Sequence, residues 1–361
     1  MATASCSVEN SAATGPAPAG MGRAAVTDAL NRLIADGLPG AQAVVTEGER
    51  TWTASAGVGD LEHRTPFPDD ARVRIGSNTK AFTATVMLQL VAEGKVDLDT
   101  SVERYLPGVV RGDGIDPEQI TIRNLLQHTS GLPDYAELIK DWDANRLTHL
   151  ETAELVRRAL TLPAQFQPGE KWNYCNTNYL VAGMVIERVT GSSIDAEITR
   201  RIIEPLGLRA TYYPAAGDAA IRDPHPSGYE VLDGKRVDVT SLDPSVGGAA
   251  GAMVGTGADL NLFFTALLSG KLLPPAQLAE MKRTVPIPAP GAEYGLGLMR
   301  RAVSCGKEFW GHGGDIDGFE TRGGVTADGR SVTVSVNEIP ETDEAIDHVT
   351  QVVDAAVCAT S

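Results

Sequence analysis

The chain has 361 residues, enough for one large domain or two lobes, and 42% of them are hydrophobic, which supports a sizeable core. A formal net charge of −16 disfavours binding to nucleic acid or to an anionic membrane surface. No apolar run approaches the ~18 residues that a membrane-spanning helix requires, and neither a membrane nor a nucleic-acid partner is expected.

Residues 1–20 are rich in Ala, Ser, Gly and Pro without an apolar pattern, so they read as a disordered tail. They carry neither the basic nor the apolar region of a secretory signal. A cytoplasmic protein is expected, or a secreted one if a signal has been removed. The stretch 24–35 has helical amphipathicity. Short strands follow at 42–46 and 51–56 across a Glu-Gly turn, and 71–75 alternates like a third. A helix then carries Phe82, Val86, Met87, Leu90 and Val91 on a helical repeat and stops at Gly94. Residues 101–141 are loop-rich. Helices are predicted at 152–160, 179–190, 194–203 and 259–268, strands at 297–302, 307–310, 318–326 and 331–336, and a last helix at 344–357. Strands at both ends with helices between them predict an α/β (α+β) chain. One lobe is built from 21–75 and 292–361, a mostly helical lobe from 76–291 is inserted in it, and the active site lies in the cleft between them.

The chemistry is concentrated in three places. Ser77 and Lys80 stand three residues apart at the start of a helix, where they share a face. A serine hydroxyl is a poor nucleophile until a neighbouring base takes its proton, and a neutral amine can do so. The helix N-terminus adds unpaired N–H groups and a positive dipole end, which favour an oxyanion and an unprotonated lysine. Downstream come Tyr174-Cys175-Asn176 and His312-Gly313-Gly314-Asp315. The four cysteines are Cys6, Cys175, Cys305 and Cys358. No His or Cys cluster has metal-ligand spacing, and neither a metal nor a cofactor is expected.

The order Ser-x-x-Lys, Tyr-x-Asn, His-x-Gly resembles the serine β-lactamase and penicillin-binding-protein superfamily, in particular its class C branch. That branch includes Streptomyces-type D-alanyl-D-alanine carboxypeptidases, esterases and transacylases. The likeness extends over 26–358 and includes His128-Thr129-Ser130-Gly131-Leu132 and Tyr294-Gly295-Leu296-Gly297-Leu298. It implies a β-lactamase/transpeptidase-like fold, an antiparallel sheet with flanking helices. It also implies Ser77 as nucleophile, Lys80 as its activator and Tyr174 as general base or proton relay, with Lys80 as the cation that brings the phenol into range. Asn176 would donate to a substrate carbonyl, and the N–H groups of Ser77 and Asp315 would hold the oxyanion. A Cys305–Cys358 disulfide matches one in the secreted peptidases, although the pair could equally be kept reduced.

One departure bears on substrate. The carboxypeptidases read His-Thr-Gly-Thr where this chain has His312-Gly313-Gly314-Asp315, and their carboxylate-binding arginine falls on Met299, beside Arg300 and Arg301. Asp315 would repel a terminal carboxylate and could attract an ammonium. Small residues around Val246-Gly247-Gly248 would widen the cleft. The expected function is acyl transfer from a small-molecule ester or amide through Ser77 to an amine or to water, in the manner of transacylases of secondary metabolism. The alternatives are a D-alanyl-D-alanine carboxypeptidase or D-amino-acid amidase, and a non-catalytic penicillin-binding sensor.

Overall fold

The computed structural model describes residues 21–139 and 146–359. The 1–20 tail and the end of the 101–141 stretch lie outside the described residues. Helix α1 (Met21–Ala35) leads into the hairpin β1 (Gly40–Glu47) and β2 (Arg50–Gly57). The chain then crosses through β3 (Val73–Arg74) into a 3-10 turn, Gly76–Asn78, and helix α2 (Thr79–Ala92). Helix α3 (Asn176–Thr190), the hairpin β4 (Tyr229–Leu232) and β5 (Lys235–Asp238), β6 (Val254–Gly255) and helix α4 (Gly257–Leu268) follow. The remaining strands are β7 (Val285–Pro286), β8 (Ala292–Tyr294), β9 (Met299–Ala302), β10 (Glu308–Ile316), β11 (Phe319–Thr326) and β12 (Arg330–Val336). Helix α5 (Asp343–Cys358) closes the fold.

Eight strands form one antiparallel sheet in the order β2-β1-β12-β11-β10-β9-β8-β7. Alternation divides its faces. Ala41, Ala43, Val45, Val332, Val334 and Val336 pack with Leu30 and Leu33 of α1 and Val349, Val352 and Val353 of α5. Thr333 and Ser331 point the other way, to Asn261 of α4: Thr333 donates to Asn261 Oδ1 (2.8 Å), and Asn261 donates to Val44 O (3.0 Å). A Cβ on Gly257 would come within 2.7 Å of Val44 Cγ2, so glycine there lets α4 lie close to the sheet. This helix, read as part of the inserted lobe, therefore covers the sheet. The second core holds Phe82, Met87, Leu90, Tyr179, Val185 and Phe263 and is shared by the helices around α2.

The predicted elements are found with ends shifted by a few residues. The strand expected at 307–310 continues to Ile316, because the glycines after His312 accept a pleated edge. Residues 199–203 of the helix predicted at 194–203 form a π-helical turn. The hairpin β4–β5 and the short strands β7 and β8 carry no alternation strong enough to signal them. Cys305 and Cys358 are joined in a disulfide with a Cα–Cα distance of 5.7 Å, tying the β9–β10 turn to the end of α5. Among the described residues no helix is long and apolar enough to cross a membrane.

Candidate active site

Ser77 stands in the 3-10 turn that precedes α2, and Lys80 in the first turn of α2. Gly76 has φ +48°, a left-handed conformation that favours glycine, and a Cβ there would lie 2.9 Å from Asp315 N. Gly314 is tighter still, since its Cβ would lie 1.9 Å from Ile75 O. The two glycines thus let β10 close directly over the serine turn. Strand β9 pairs with β10 only at Glu308–Gly311, which leaves the stretch from Gly313 onward as an edge without that partner, facing Ser77.

Lys80 is fully buried. Its Nζ donates to Ser77 Oγ (2.9 Å), Asn176 Oδ1 (2.8 Å) and Ala250 O (2.9 Å), which uses all three ammonium protons. Burial brings its pKa down to about 7, against the opposing pull of Asp134, Cys175 and Asp315. The Ser-x-x-Lys spacing therefore does produce the expected contact.

Tyr174 precedes α3, and Ser77 lies near enough to act on its hydroxyl. Burial first, then Tyr294, holds the phenol well above its usual value, and the influence of Ser77 only partly opposes this. The expectation that Lys80 would make this tyrosine acidic is corrected. Lys80 Nζ lies over the ring face, 4.8 Å from its centroid, and desolvation dominates at the hydroxyl.

Asn176 is already engaged. Its Oδ1 accepts from Lys80, while its backbone N–H and Nδ2 donate to Asp134 Oδ2 at 2.9 and 3.0 Å. It anchors the lysine, and one amide proton is left for substrate. His312 is also a supporting residue more than a substrate contact, since it is only 4% exposed. Its Nδ1 donates to Gly313 O (2.5 Å), so Nε2 accepts from Tyr294 OH (2.9 Å). Tyr294 in turn accepts from His128 Nε2 (3.2 Å), whose Nδ1 accepts from Cys175 N–H (3.2 Å). This polarity follows from each imidazole carrying one proton. It agrees with burial, helped by the charge on Lys80, holding His128 well below its usual range and His312 at about 3. The His128 ring lies 4.3 Å from that of Tyr174 and fixes its back.

Gly313 and Asp315 have a partner that the sequence reading missed. Arg322 of β11 sits opposite Gly313 in register, and a Cβ on Gly313 would meet its guanidinium at 2.9 Å. Arg322 Nη1 donates to Asp315 Oδ1 (2.5 Å), and Nη2 lies 2.8 Å from Glu320 Oε1. The expected free, repulsive acid at Asp315 is thus an ion pair, and a cation does stand in the row where the peptidases hold a carboxylate. Met299 lies on β9, and Arg301, two residues on, stacks its guanidinium over Phe309. Asp134, His128, Tyr294 and Arg322 were all missed as site residues. The two phrases containing His128 and Tyr294 were the available signal, while Asp134 and Arg322 had none.

In front of Ser77 opens a cavity of about 340 Å³, lined among others by Tyr135, Ile139, Val246, Gly247 and Ile316. The Val246-Gly247 wall is small, as expected, although Tyr135 restores one aromatic side and donates its hydroxyl proton to Val246 O.

A family model described as Beta-lactamase matches residues 23–356. Esterase EstB of Burkholderia gladioli is 34% identical over 53% of this chain and 51% of its own length. Unguisins hydrolase ungD' of Aspergillus campestris is 31% identical over 79% of this chain and 55% of its own. The chain spans about half the length of these curated relatives. Among solved structures, a D-stereospecific amidohydrolase from Streptomyces sp. superposes with a TM-score of 0.86 and 42% identity, covering 94% of this chain and 99% of that one. The D-amino acid amidase from Ochrobactrum anthropi SV3, complexed with L-phenylalanine amide, gives 0.80 and 27%, covering 92% and 98%.

Proposed function

This chain belongs to the Beta-lactamase family, and on that premise we propose that it is a serine-dependent acyl-transfer enzyme acting on aminoacyl esters or amides that lack a free terminal carboxylate. The observation that carries the reading is Lys80, fully buried, bonded to Ser77 Oγ at 2.9 Å and brought to a pKa of about 7. Near neutrality a large fraction is the free amine, which can take the serine proton as Oγ attacks the donor carbonyl. The N–H groups of Ser77 and Asp315 stabilise the oxyanion. The phenol of Tyr174, neutral because burial raises its pKa, relays a proton to the departing amine or alcohol and does not begin as a base. Water or an amine then takes the acyl group from Ser77, and the protons return through the same groups.

Two observations support the donor class. Arg322, the cation in the carboxylate row, is engaged by Asp315 and Glu320. Solved structures similar to this one include a D-stereospecific amidohydrolase and a D-amino acid amidase, so D-aminoacyl donors are proposed. Transfer to an amine is favoured over hydrolysis where an amine is abundant, since the cleft is apolar on the side of Ile139, Val246 and Ile316. The test is intact-protein mass spectrometry with D- and L-phenylalanine methyl esters, followed by product analysis with and without an added amine. The expected result is an adduct on wild type from the D-ester, absent in Ser77→Ala, and amide product when amine is present. An adduct that survives in Ser77→Ala would overturn the assignment, and a preference for the L-ester would overturn the donor class.

A further inference from the structure

Strands β10 and β11 are joined by the turn Asp317-Gly318. Asp317 lines the same cavity as Ser77. It lies two residues beyond Asp315, just past the end of β10. Its Oδ2 is buried and has no hydrogen-bond partner among the described residues. Buried carboxylate oxygens are normally satisfied, so one without a partner, in a residue that lines the cavity of the nucleophile, needs an explanation.

The other carboxylates at the cleft are differently placed. Asp134 holds Asn176, and Asp315 holds Arg322. Arg74 lies near enough to act on Asp317 through charge, yet it donates to Ala219 O (2.6 Å) and Thr240 O (3.1 Å). Burial pushes the Asp317 carboxyl up to about 7. Glu230 adds to this, while its own backbone, Arg146 and Arg74 oppose it. A cationic donor reaching Oδ2 from the cleft would satisfy the oxygen and favour its ionised form.

We propose that Asp317 determines donor specificity by accepting, through Oδ2, a hydrogen bond from the α-ammonium of the aminoacyl donor whose carbonyl is attacked by Ser77. The inference rests on the acyl-transfer reading above and names the group that this site recognises. It assigns the acid to the donor and not to the acceptor for a chemical reason. A carboxylate stabilises the protonated form of an amine, which would disarm an acceptor, whereas a donor's ammonium takes no part in bond formation. The ammonium is one carbon away from the donor carbonyl, so both can be held at once, with the donor side chain against Ile139 and Ile316.

The experiment compares three donors on wild type, Asp317→Asn and Asp317→Ala: D-phenylalanine methyl ester, its N-acetyl derivative and methyl 3-phenylpropanoate. Asn preserves the shape of Asp, and thermal melting checks the fold of both variants. In wild type, kcat/KM for the ammonium-bearing ester should exceed the other two by about tenfold or more, the scale of one charge-assisted hydrogen bond. In both variants that advantage should fall to within about threefold while the two uncharged donors hold their rates. An unchanged advantage in the variants, an equal loss on all three donors, or a wild type indifferent to the ammonium would each overturn the assignment and leave the acyl-transfer reading standing. No Ser77 adduct from any donor would overturn both.

Discussion

The Asp315–Arg322 pair gives the most discriminating handle on substrate class. Asp315→Thr removes the carboxylate that lies 2.5 Å from Arg322 Nη1 and restores one of the hydroxyls that the peptidases use. Arg322 would keep one partner, Glu320, whose carboxyl is pushed up to about 7 mainly by burial. The freed Nη1 could then meet a terminal carboxylate. A hydrogen bond between charged groups contributes about 1.5–3 kcal/mol, equivalent to roughly 10- to 150-fold in rate or affinity. The Asp315 side chain is 55% exposed, so solvent screening places the expected gain at the lower end, about tenfold. The assay is kcat/KM for one N-acylated peptide ending in D-Ala-D-Ala and for its methyl ester. Wild type should prefer the ester, and the ester-to-acid ratio should fall about tenfold in Asp315→Thr. The same change in an Arg322→Leu background should produce no fall. An unchanged ratio in Asp315→Thr, or a fall that persists without Arg322, would refute the reasoning. A wild type that prefers the acid would return the chain to the carboxypeptidases.

The pH–rate profile for acylation should rise through about pH 7, because the competent form of Lys80 is the free amine and its pKa is lowered to about 7. A limb near 10 would mean that burial does not tune the lysine. Lys80→Ala should lose about 10²–10⁴-fold in acylation rate, measured by adduct formation under single-turnover conditions. Tyr174→Phe should cost a similar factor yet leave the limb near 7 in place, since the phenol is already protonated there. Movement of that limb would transfer the titration to Tyr174. Gly314→Ala should force β10 away from Ile75 O, destabilising the protein by about 1–3 kcal/mol as overpacking does, and should slow acylation. A variant with wild-type Tm and rate would show that the close approach is unnecessary.

How much of this was legible in the sequence depended on range. The hairpin β1–β2, the helix behind Ser77 and the last two strands were readable because each is set by its own periodicity. The contact between Ser77 and Lys80 was readable for the same reason, since two residues three apart at a helix start meet whatever the rest of the chain does. Arg322 was not readable, because it reaches Asp315 across two strands in a register fixed only when β10 and β11 pair. Asp134 was hidden for the same reason: it contacts a residue that follows it by 42 positions. The error over Tyr174 has a different origin. A lysine near a tyrosine was expected to lower the phenol's pKa, but the sign depends on which part of the ring the cation faces and on how dry the site is. Here the amine lies over the ring face, the hydroxyl is desolvated, and the chain His128–Tyr294–His312 carries no positive charge to help. In the proposed mechanism a phenol protonated at rest leaves the deprotonation of Ser77 to Lys80, and the neutral imidazoles of His128 and His312 add no charge that would alter this. A charged residue introduced at His312 should therefore shift the acylation limb of Lys80, because the charge on Lys80 depresses the His312 imidazole and such coupling is reciprocal.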